Sequence, residues 1–519
     1  MVQIEIFDTT LRDGSQSSDV NFSVHDKLDL IKDLDDFGVA YIELGWPGSK
    51  PKDAECFKAA RSLKLKNSQI VAFGSTRRIG AKAQADSNLR AIIDSGAKTA
   101  CIFGKTWIEH IKKQLNATPE QNIESIGESI SFLAKTGLKV IYDLEHFFDG
   151  YKDNKDYALK CLRTACESGA ETLVMCDTNG GTLPVEIKEI VGEVFYFFRK
   201  NNLSAKLGIH THNDSGFGAA NAVEAVILGV THVQGTINGI GERTGNADLC
   251  QIIPVLKLKL GLNLGKIDLK KLTGLSKRVY TLANLKPFDR QPFVGRNAFS
   301  HKGGVHVDAV MKGASYEHIN PELVGNSREF VLSDLSGKAT IVEVAKKFGY
   351  KLTKDDSKVK NMLAKVEQME KEGYDIGSLK AEQFLLVEEF IGGKKSPFNV
   401  DSWEILSEHK GKEQTTCRMS GAVKGVGVGK KDAVEGGPVD AAYRALQKMI
   451  AQIHKQIYDV KLTNYKVMIA EDKGAESTVR VYIEFKDGDE EWACVGVNSN
   501  ILTASFEAIV KGFKYYLMK

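Results

Sequence analysis

Two histidines one residue apart, His210-Thr211-His212, are the most telling short piece of this chain. They close a run, Lys206–His210, that reads as a strand. Alternate side chains of a strand point the same way, so both imidazoles can address one point at its end. Taken alone, such a pair is more often two satisfied or surface histidines than a metal site. The other strand ends alter that reading, because ionisable groups gather there. Asp8, Arg12 and Asp13 follow a first strand, and Glu43 lies on a second. Thr76, Arg77 and Arg78 follow a third, Glu145 a fifth, and Asp177 and Thr178 a sixth. Asn238, Glu242, Arg243 and Asn246 follow an eighth. Two imidazoles with an oxygen ligand such as Asp13 suit a divalent ion, Mn, Zn, Co or Mg. An open position on that ion would let a 2-oxo acid chelate through its carboxylate and keto oxygen. The ion would then act on the carbonyl as a Lewis acid.

The elements that must position these groups are legible as a rhythm over the first 260 or so residues. Short β-branched or aromatic runs occur at Ile4–Phe7, Tyr41–Leu44, Ile70–Phe73, Thr99–Phe103, Lys139–Asp143, Thr172–Cys176, Lys206–His210 and His232–Thr236. Amphipathic helical patterns alternate with them, among them Val24–Phe37, Ile123–Thr136, Tyr157–Ser168 and Pro184–Lys200. Several end at glycines suited to a left-handed helix terminus, such as Gly38 and Gly137. Eight strand–helix units in about 250 residues predict an α/β fold, a (β/α)8 TIM barrel, whose chemistry sits where the strands end. A doubly wound open sheet is the runner-up.

The rhythm stops near residue 265. Residues 338–392 read as helical, and Gly392–Ser396 before Pro397 reads as a linker. The chain is thus expected to divide into a catalytic barrel (1–265), mostly helical linker subdomains (266–395) and a C-terminal α+β domain (396–519). That last domain holds an internal repeat. Val426-Gly427-Val428-Gly429 precedes the helical pattern Pro438–Leu446, and Val495-Gly496-Val497-Asn498 precedes Ile501–Ile509. The helices match aromatic on aromatic and Ala on Ala, with strand-rich stretches before each. The run Gly425–Lys430 lacks the Gly-Lys-Ser/Thr ending of a phosphate loop, so it is not read as one.

Bulk properties exclude several classes. Lys+Arg 70 against Asp+Glu 67 gives +3, with 42% hydrophobic and 26% charged residues among 519. That balance argues against a nucleic-acid or membrane surface as the main partner. The lysine-rich stretch 257–271 reads as a solvated face. No apolar run approaches the roughly 18 residues a membrane helix needs. The N-terminus enters a strand without a secretory leader. The eight cysteines are scattered without a Cys-x-x-Cys pair, as small core residues of a reducing, cytoplasmic setting would be.

Three motifs carry a resemblance. Asp8-Thr9-Thr10-Leu11-Arg12-Asp13-Gly14, His210-Thr211-His212-Asn213-Asp214 and Asn238-Gly239-Ile240-Gly241-Glu242-Arg243-Thr244-Gly245-Asn246 resemble the signatures of the isopropylmalate synthase/homocitrate synthase/citramalate synthase family. The likeness extends over nearly the whole chain. It implies that Asp13, His210 and His212 are metal ligands, with Asn246 near the same ion. It further implies that Arg12 stabilises oxyanion charge, Thr178 binds the substrate carboxylate and Glu145 is a candidate acid/base. Gly303-Gly304-Val305-His306 resembles a loop presenting a catalytic histidine, followed by Tyr316. In the family this segment reaches into the partner subunit's site, which implies a homodimer. The choice between His306 and Glu145 as the base stays open.

The implied reaction is a Claisen condensation of acetyl-CoA, the co-substrate, with a 2-oxo acid. Glu43–Gly48, Glu145–Gly150 and Pro287–Gly295 resemble the longer type of citramalate synthase, which implies pyruvate as the acid and citramalate, a precursor for isoleucine synthesis, as the product. After Gly14 the chain reads Ser15-Gln16-Ser17-Ser18-Asp19, without the Pro-Gly common in isopropylmalate synthases. Trp46, Phe147 and Phe148 are candidates to narrow the pocket, with ordinary packing the equal alternative. The repeated C-terminal domain resembles an allosteric module, with isoleucine as the expected effector. The alternatives are a 2-isopropylmalate or homocitrate synthase, an acyl-CoA lyase on the same barrel, or a non-catalytic amino-acid sensor. The C-terminal repeat speaks against the lyase. The sensor would have lost Arg12 or a metal ligand, and all are present.

Overall fold

Eight parallel strands close on themselves, each pairing with its sequence neighbour and the eighth with the first. They are β1 (Glu5–Asp8), β2 (Tyr41–Gly45), β3 (Gln69–Ser75), β4 (Thr99–Lys105), β5 (Lys139–Glu145), β6 (Thr172–Asp177), β7 (Lys206–Thr211) and β8 (His232–Gly235). The computed structural model describes residues 2–313, 316–377, 379–409, 413–434, 436–471, 474, 477–488 and 490–519. The expected barrel is therefore present, and the runner-up, a doubly wound open sheet, is ruled out by the closure of β8 on β1.

Local sequence chemistry sets the helices around it. Ser23 caps Val24–Phe37 by accepting from the Asp26 N–H, while the Asp26 carboxylate accepts from the Ser23 N–H. Such a reciprocal cap contributes about 1 kcal/mol. The helix stops at Gly38, whose φ of 99° is left-handed and where a Cβ would collide with the Lys266 carbonyl. Thr118 and Gln121 form the same reciprocal cap on Pro119–Lys135.

Inside the barrel, alternate residues of the strands form one packed cluster: Phe7, Tyr41, Val71, Phe73, Cys101, Ile141, Val174 and Cys176. Burying each large member contributes roughly 1.5–3 kcal/mol. One step further along several strands the interior turns ionisable, with Glu43 on β2, Asp143 on β5 and His210 on β7. An apolar plug thus floors a polar mouth, as strand period and barrel closure require. All eight cysteines are free, and only Cys166 is not buried.

The chain divides into two compact units, Met1–Ala298 with Ile319–Ser327, and Phe299–His318 with Arg328–Lys519. The second unit contains the helices Lys338–Lys347, Ser357–Lys371 and Lys380–Val387. It also contains two three-stranded antiparallel sheets. One is Phe398–His409, Glu413–Val423 and Val426–Val434, followed by the helix Pro438–Ile450. The other is Lys461–Glu471, Thr478–Asp487 and Glu490–Asn498, followed by the helix Ile501–Met518. The repeat is real, and its helices meet through Tyr443 and Phe513, whose ring centroids lie 5.1 Å apart. The two Val-Gly-Val pieces are not equivalent, however. Val426 opens its strand, whereas Asn498 closes its own. The run from Gly425 leads into a strand rather than a strand–helix turn, so it has no phosphate-loop geometry.

No described helix is long and apolar enough to cross a membrane.

Candidate active site and metal centre

The polar mouth of the barrel brings Asp13, His210 and His212 together, all buried. His210 ends near the close of β7, and His212 follows in a short bridge to Asn246. Their Nε2 atoms lie 3.3 Å apart. One oxygen of Asp13 lies 3.4 Å from the His210 Nε2 and 3.9 Å from the His212 Nε2. Among the described residues this is the group of ionisable side chains that can hold a metal ion. Ligand atoms about 2.1 Å from an ion and near right angles to each other lie about 3 Å apart, so this triangle suits three ligands of one cation. Asn246 supplies a further sign, since its buried Oδ1 has no hydrogen-bond partner among the described residues. Two imidazoles, a carboxylate and an amide oxygen form a donor set that fits a divalent ion.

The loop carrying Asn246 is held by its backbone. The Asn246 N–H donates to the Gly239 carbonyl at 3.0 Å. Gly245 takes φ 102°, and a Cβ there would collide with that same carbonyl.

Arg12 stands beside the triad. Its Nε donates to Glu43 Oε2 at 2.6 Å, its Nη1 lies 3.3 Å from Asp13, and its guanidinium lies 3.8 Å over the Phe73 ring. Glu43, fully buried, also accepts from the Thr9 hydroxyl at 2.5 Å. These partners fix the plane of the fork. Burial pushes the Asp13 carboxyl up, but Arg12 and His210 outweigh it and hold the group well below the usual carboxylate range. His212 is pushed down to about 4 by burial and by the neighbouring His210. Burial raises Asp143 to about 6.

A cavity of about 200 Å³ opens on these groups, lined also by Trp46, Phe73, Phe103, Asp143, Glu145 and Thr178. Phe73 and Phe103 stack at 5.4 Å, with Trp46 edge-on to both. The Trp46 Nε1–H donates to Asn88 at 2.5 Å, which fixes the indole. Phe147 and Phe148, the other aromatic candidates, are fully buried and do not line the cavity. Glu145 pairs with Lys105 at 2.6 Å. The Thr178 hydroxyl accepts from the His146 N–H at 2.8 Å, leaving its own proton to donate. Arg243 grips Asp214 through two nitrogens at 2.8 and 3.0 Å and donates to the Thr178 carbonyl.

Not every residue at a strand end faces the mouth. Arg77 is buried against Glu128 at 2.6 Å, on the helix side of the barrel. Asp177 accepts from the Thr182 N–H and hydroxyl and so braces its own loop. Asn238 serves Ser276 and Gln291. His306 lies in the helix Gly304–Met311 of the second unit, and its side chain is outside the described residues. Tyr316, in the same unit, is 52% exposed. The sequence reading missed Asp143 and Gln234. Each shares its strand face with another polar residue two positions away, Asp143 with Glu145 on β5 and Gln234 with His232 on β8, and that period-2 spacing is the signal that could have found them.

Comparison with known proteins decides the family. A model described as HMGL-like matches residues 3–279, one described as homocitrate synthase post-HMGL domain-like matches 293–374, and the LeuA allosteric (dimerisation) domain matches 379–517. The chain is 43% identical over 519 residues to the (R)-citramalate synthase of Sulfolobus acidocaldarius, covering 99% of this chain and 97% of that one. The chain belongs to the (R)-citramalate synthase family. The Geobacter sulfurreducens (R)-citramalate synthase is likewise 43% identical, over 100% of this chain and 98% of its own. The Aquifex aeolicus (R)-citramalate synthase matches at 43%, again over 100% and 98%. The family resemblance read from the three sequence motifs is thereby established, and a barrel followed by an allosteric module is the family's arrangement along this chain.

Proposed function

We propose that the protein condenses acetyl-CoA with pyruvate and water to give (R)-citramalate and CoA. The observation that carries this reading is identity of 43% to (R)-citramalate synthases over the whole chain. The small cavity walled by Trp46, Phe73 and Phe103 supports a compact oxo acid.

In this reading Asp13, His210 and His212 hold a divalent ion (Mn, Mg, Zn or Co), with Asn246 as a neighbouring oxygen donor. When bound, such an ion supplies Lewis acidity at the keto carbonyl. Arg12, fixed by Glu43 and Phe73, presents its remaining N–H groups to the oxygen that gains negative charge. Thr178 donates to the substrate carboxylate. A base, Glu145 or His306 with Tyr316 following it in the sequence, takes a proton from the acetyl methyl group. The resulting carbon nucleophile attacks the keto carbon, and water then cleaves the thioester and releases CoA.

The segment 1–265 acts as the catalytic barrel, 266–395 as the linker that completes the partner's site in a homodimer, and 396–519 as the regulatory domain. The match to an allosteric (dimerisation) domain supports the dimer and control by an effector, and isoleucine is the effector in this reading. The setting is the cytoplasm.

The test is product identity. Purified protein with divalent metal, pyruvate and acetyl-CoA labelled with carbon-13 in the methyl group is expected to yield labelled (R)-citramalate by NMR and chiral chromatography. Labelled acetate alone, or no product, would refute the reading.

A further inference from the structure

Gln234 is a fully buried amide in the middle of β8, in register with Phe7 of β1 on one side and His210 of β7 on the other. A buried amide is costly unless its groups are paired. Here both ends are paired, and with partners on other strands. Its Nε2 donates to Asp143 Oδ1 on β5 at 3.0 Å. Its Oε1 lies 2.8 Å from His210 Nδ1 on β7, directly across the β7–β8 ladder. The opposite amide orientation would set oxygen against the Asp143 carboxylate, so the observed one is fixed by Asp143. An amide oxygen only accepts, so His210 Nδ1 must carry a proton and donate. A neutral His210 then has its lone pair on Nε2, the atom that faces Asp13 and His212. His212 has no such support, since its buried Nδ1 has no hydrogen-bond partner among the described residues.

We propose that Gln234 is the positioning residue of the metal centre, with Asp143–Gln234–His210 forming a relay across three strands that fixes the tautomer and the ring plane of His210. The inference rests on the reading of Asp13, His210 and His212 as ligands. It assigns roles to two residues that need not touch the ion.

The test is the affinity of chelator-treated protein for Co²⁺ and Mn²⁺, measured by calorimetry, beside the melting temperature of the metal-free form. Gln234→Leu is expected to weaken metal binding about 10- to 100-fold, the usual consequence of losing such a support. The double variant Gln234→Glu/Asp143→Asn reverses both donors and acceptors. The new amide at 143 donates to the new carboxylate at 234, which still accepts from His210. It is expected to bind within about threefold of the unaltered protein. A merely structural role would move the melting temperature and not be rescued by this exchange. Gln234→Leu binding as tightly as the unaltered protein would overturn the proposal, and so would a tenfold loss in the exchanged pair. Should Gln234→Leu not fold, the exchanged pair decides alone. Unaltered protein that binds neither metal would refute the metal reading itself, and this inference with it.

Discussion

His210 and His212 bring their Nε2 atoms to 3.3 Å of each other at the mouth of a closed barrel, both facing one oxygen of Asp13. Two like imidazole nitrogens approach so closely at low cost only when a proton or a cation lies between them. The geometry therefore makes metal dependence the first prediction. Treatment with a chelator, His212→Ala and Asp13→Asn are each expected to lower CoA release roughly a thousandfold, the scale of Lewis-acid stabilisation at a carbonyl. Metal analysis should show the loss of bound ion in both variants. Full activity in metal-free protein would contradict the assignment.

Arg12→Lys tests the fork. Lysine keeps the charge but cannot hold Glu43, approach Asp13 and stack on Phe73 at once. A fall in kcat of about 100-fold is expected, with KM for acetyl-CoA little changed. A change confined to KM would mean that the residue serves binding alone.

Much of this arrangement was legible in the sequence. The helices Val24–Phe37 and Pro184–Lys200 begin and end as their caps and periodicity require. Strand starts at Tyr41, Thr99, Lys139, Thr172 and Lys206 were equally plain. Strand ends other than that of β8 read too short from hydrophobicity alone. β4 runs on to Lys105 and β5 to Glu145, because backbone pairing continues into the polar mouth after hydrophobicity has stopped. Arg77 misled for the converse reason. Its position after β3 says nothing of its rotamer, and a pair of glutamates on the next layer draws it outward. The role of Gln234, unlike its position, is not legible in the sequence, because it depends on pairing with β7, a long-range fact. The strand Phe398–His409 also escaped, since a bulge between Val400 and Ser402 breaks its alternation.

His232 carries a prediction about acid stability. It is fully buried on β8 beside the rings of Phe7 and Tyr41, and burial pushes its pKa below the ordinary 6.5, against the pull of Glu5. The unfolded chain therefore takes up this proton at higher pH than the folded one. The contribution is complete above pH 6.5 and is lost as pH falls through the lower folded value. Between about pH 7.5 and about pH 5 the barrel's melting temperature is expected to fall a few degrees more in the unaltered protein than in His232→Phe. Parallel curves would show that His232 contributes nothing to the slope.

The second unit offers a test that leaves the barrel site alone. Lys511 donates to the Val495 carbonyl at 2.9 Å and pairs with Glu507 at 2.8 Å and Glu382 at 3.3 Å. Glu382 is only 2% exposed. Lys511→Met would strand that carboxylate, a loss of about 3–5 kcal/mol when a buried pair is broken from one side. Calorimetry should show the lower-stability transition in Lys511→Met and a partial recovery in Lys511→Met/Glu382→Gln. Equal stability of the two variants would place the cost in packing instead of charge.

Substrate choice tests the central claim most directly. CoA release should be followed with a thiol reagent, offering pyruvate, 2-oxobutyrate, 2-oxoisovalerate and 2-oxoglutarate separately, each with and without EDTA. The account predicts the highest kcat/KM with pyruvate, by about tenfold or more over acids that add carbons to the methyl group, and no release in EDTA. Faster turnover of 2-oxoisovalerate or 2-oxoglutarate, or release that survives EDTA, would contradict it.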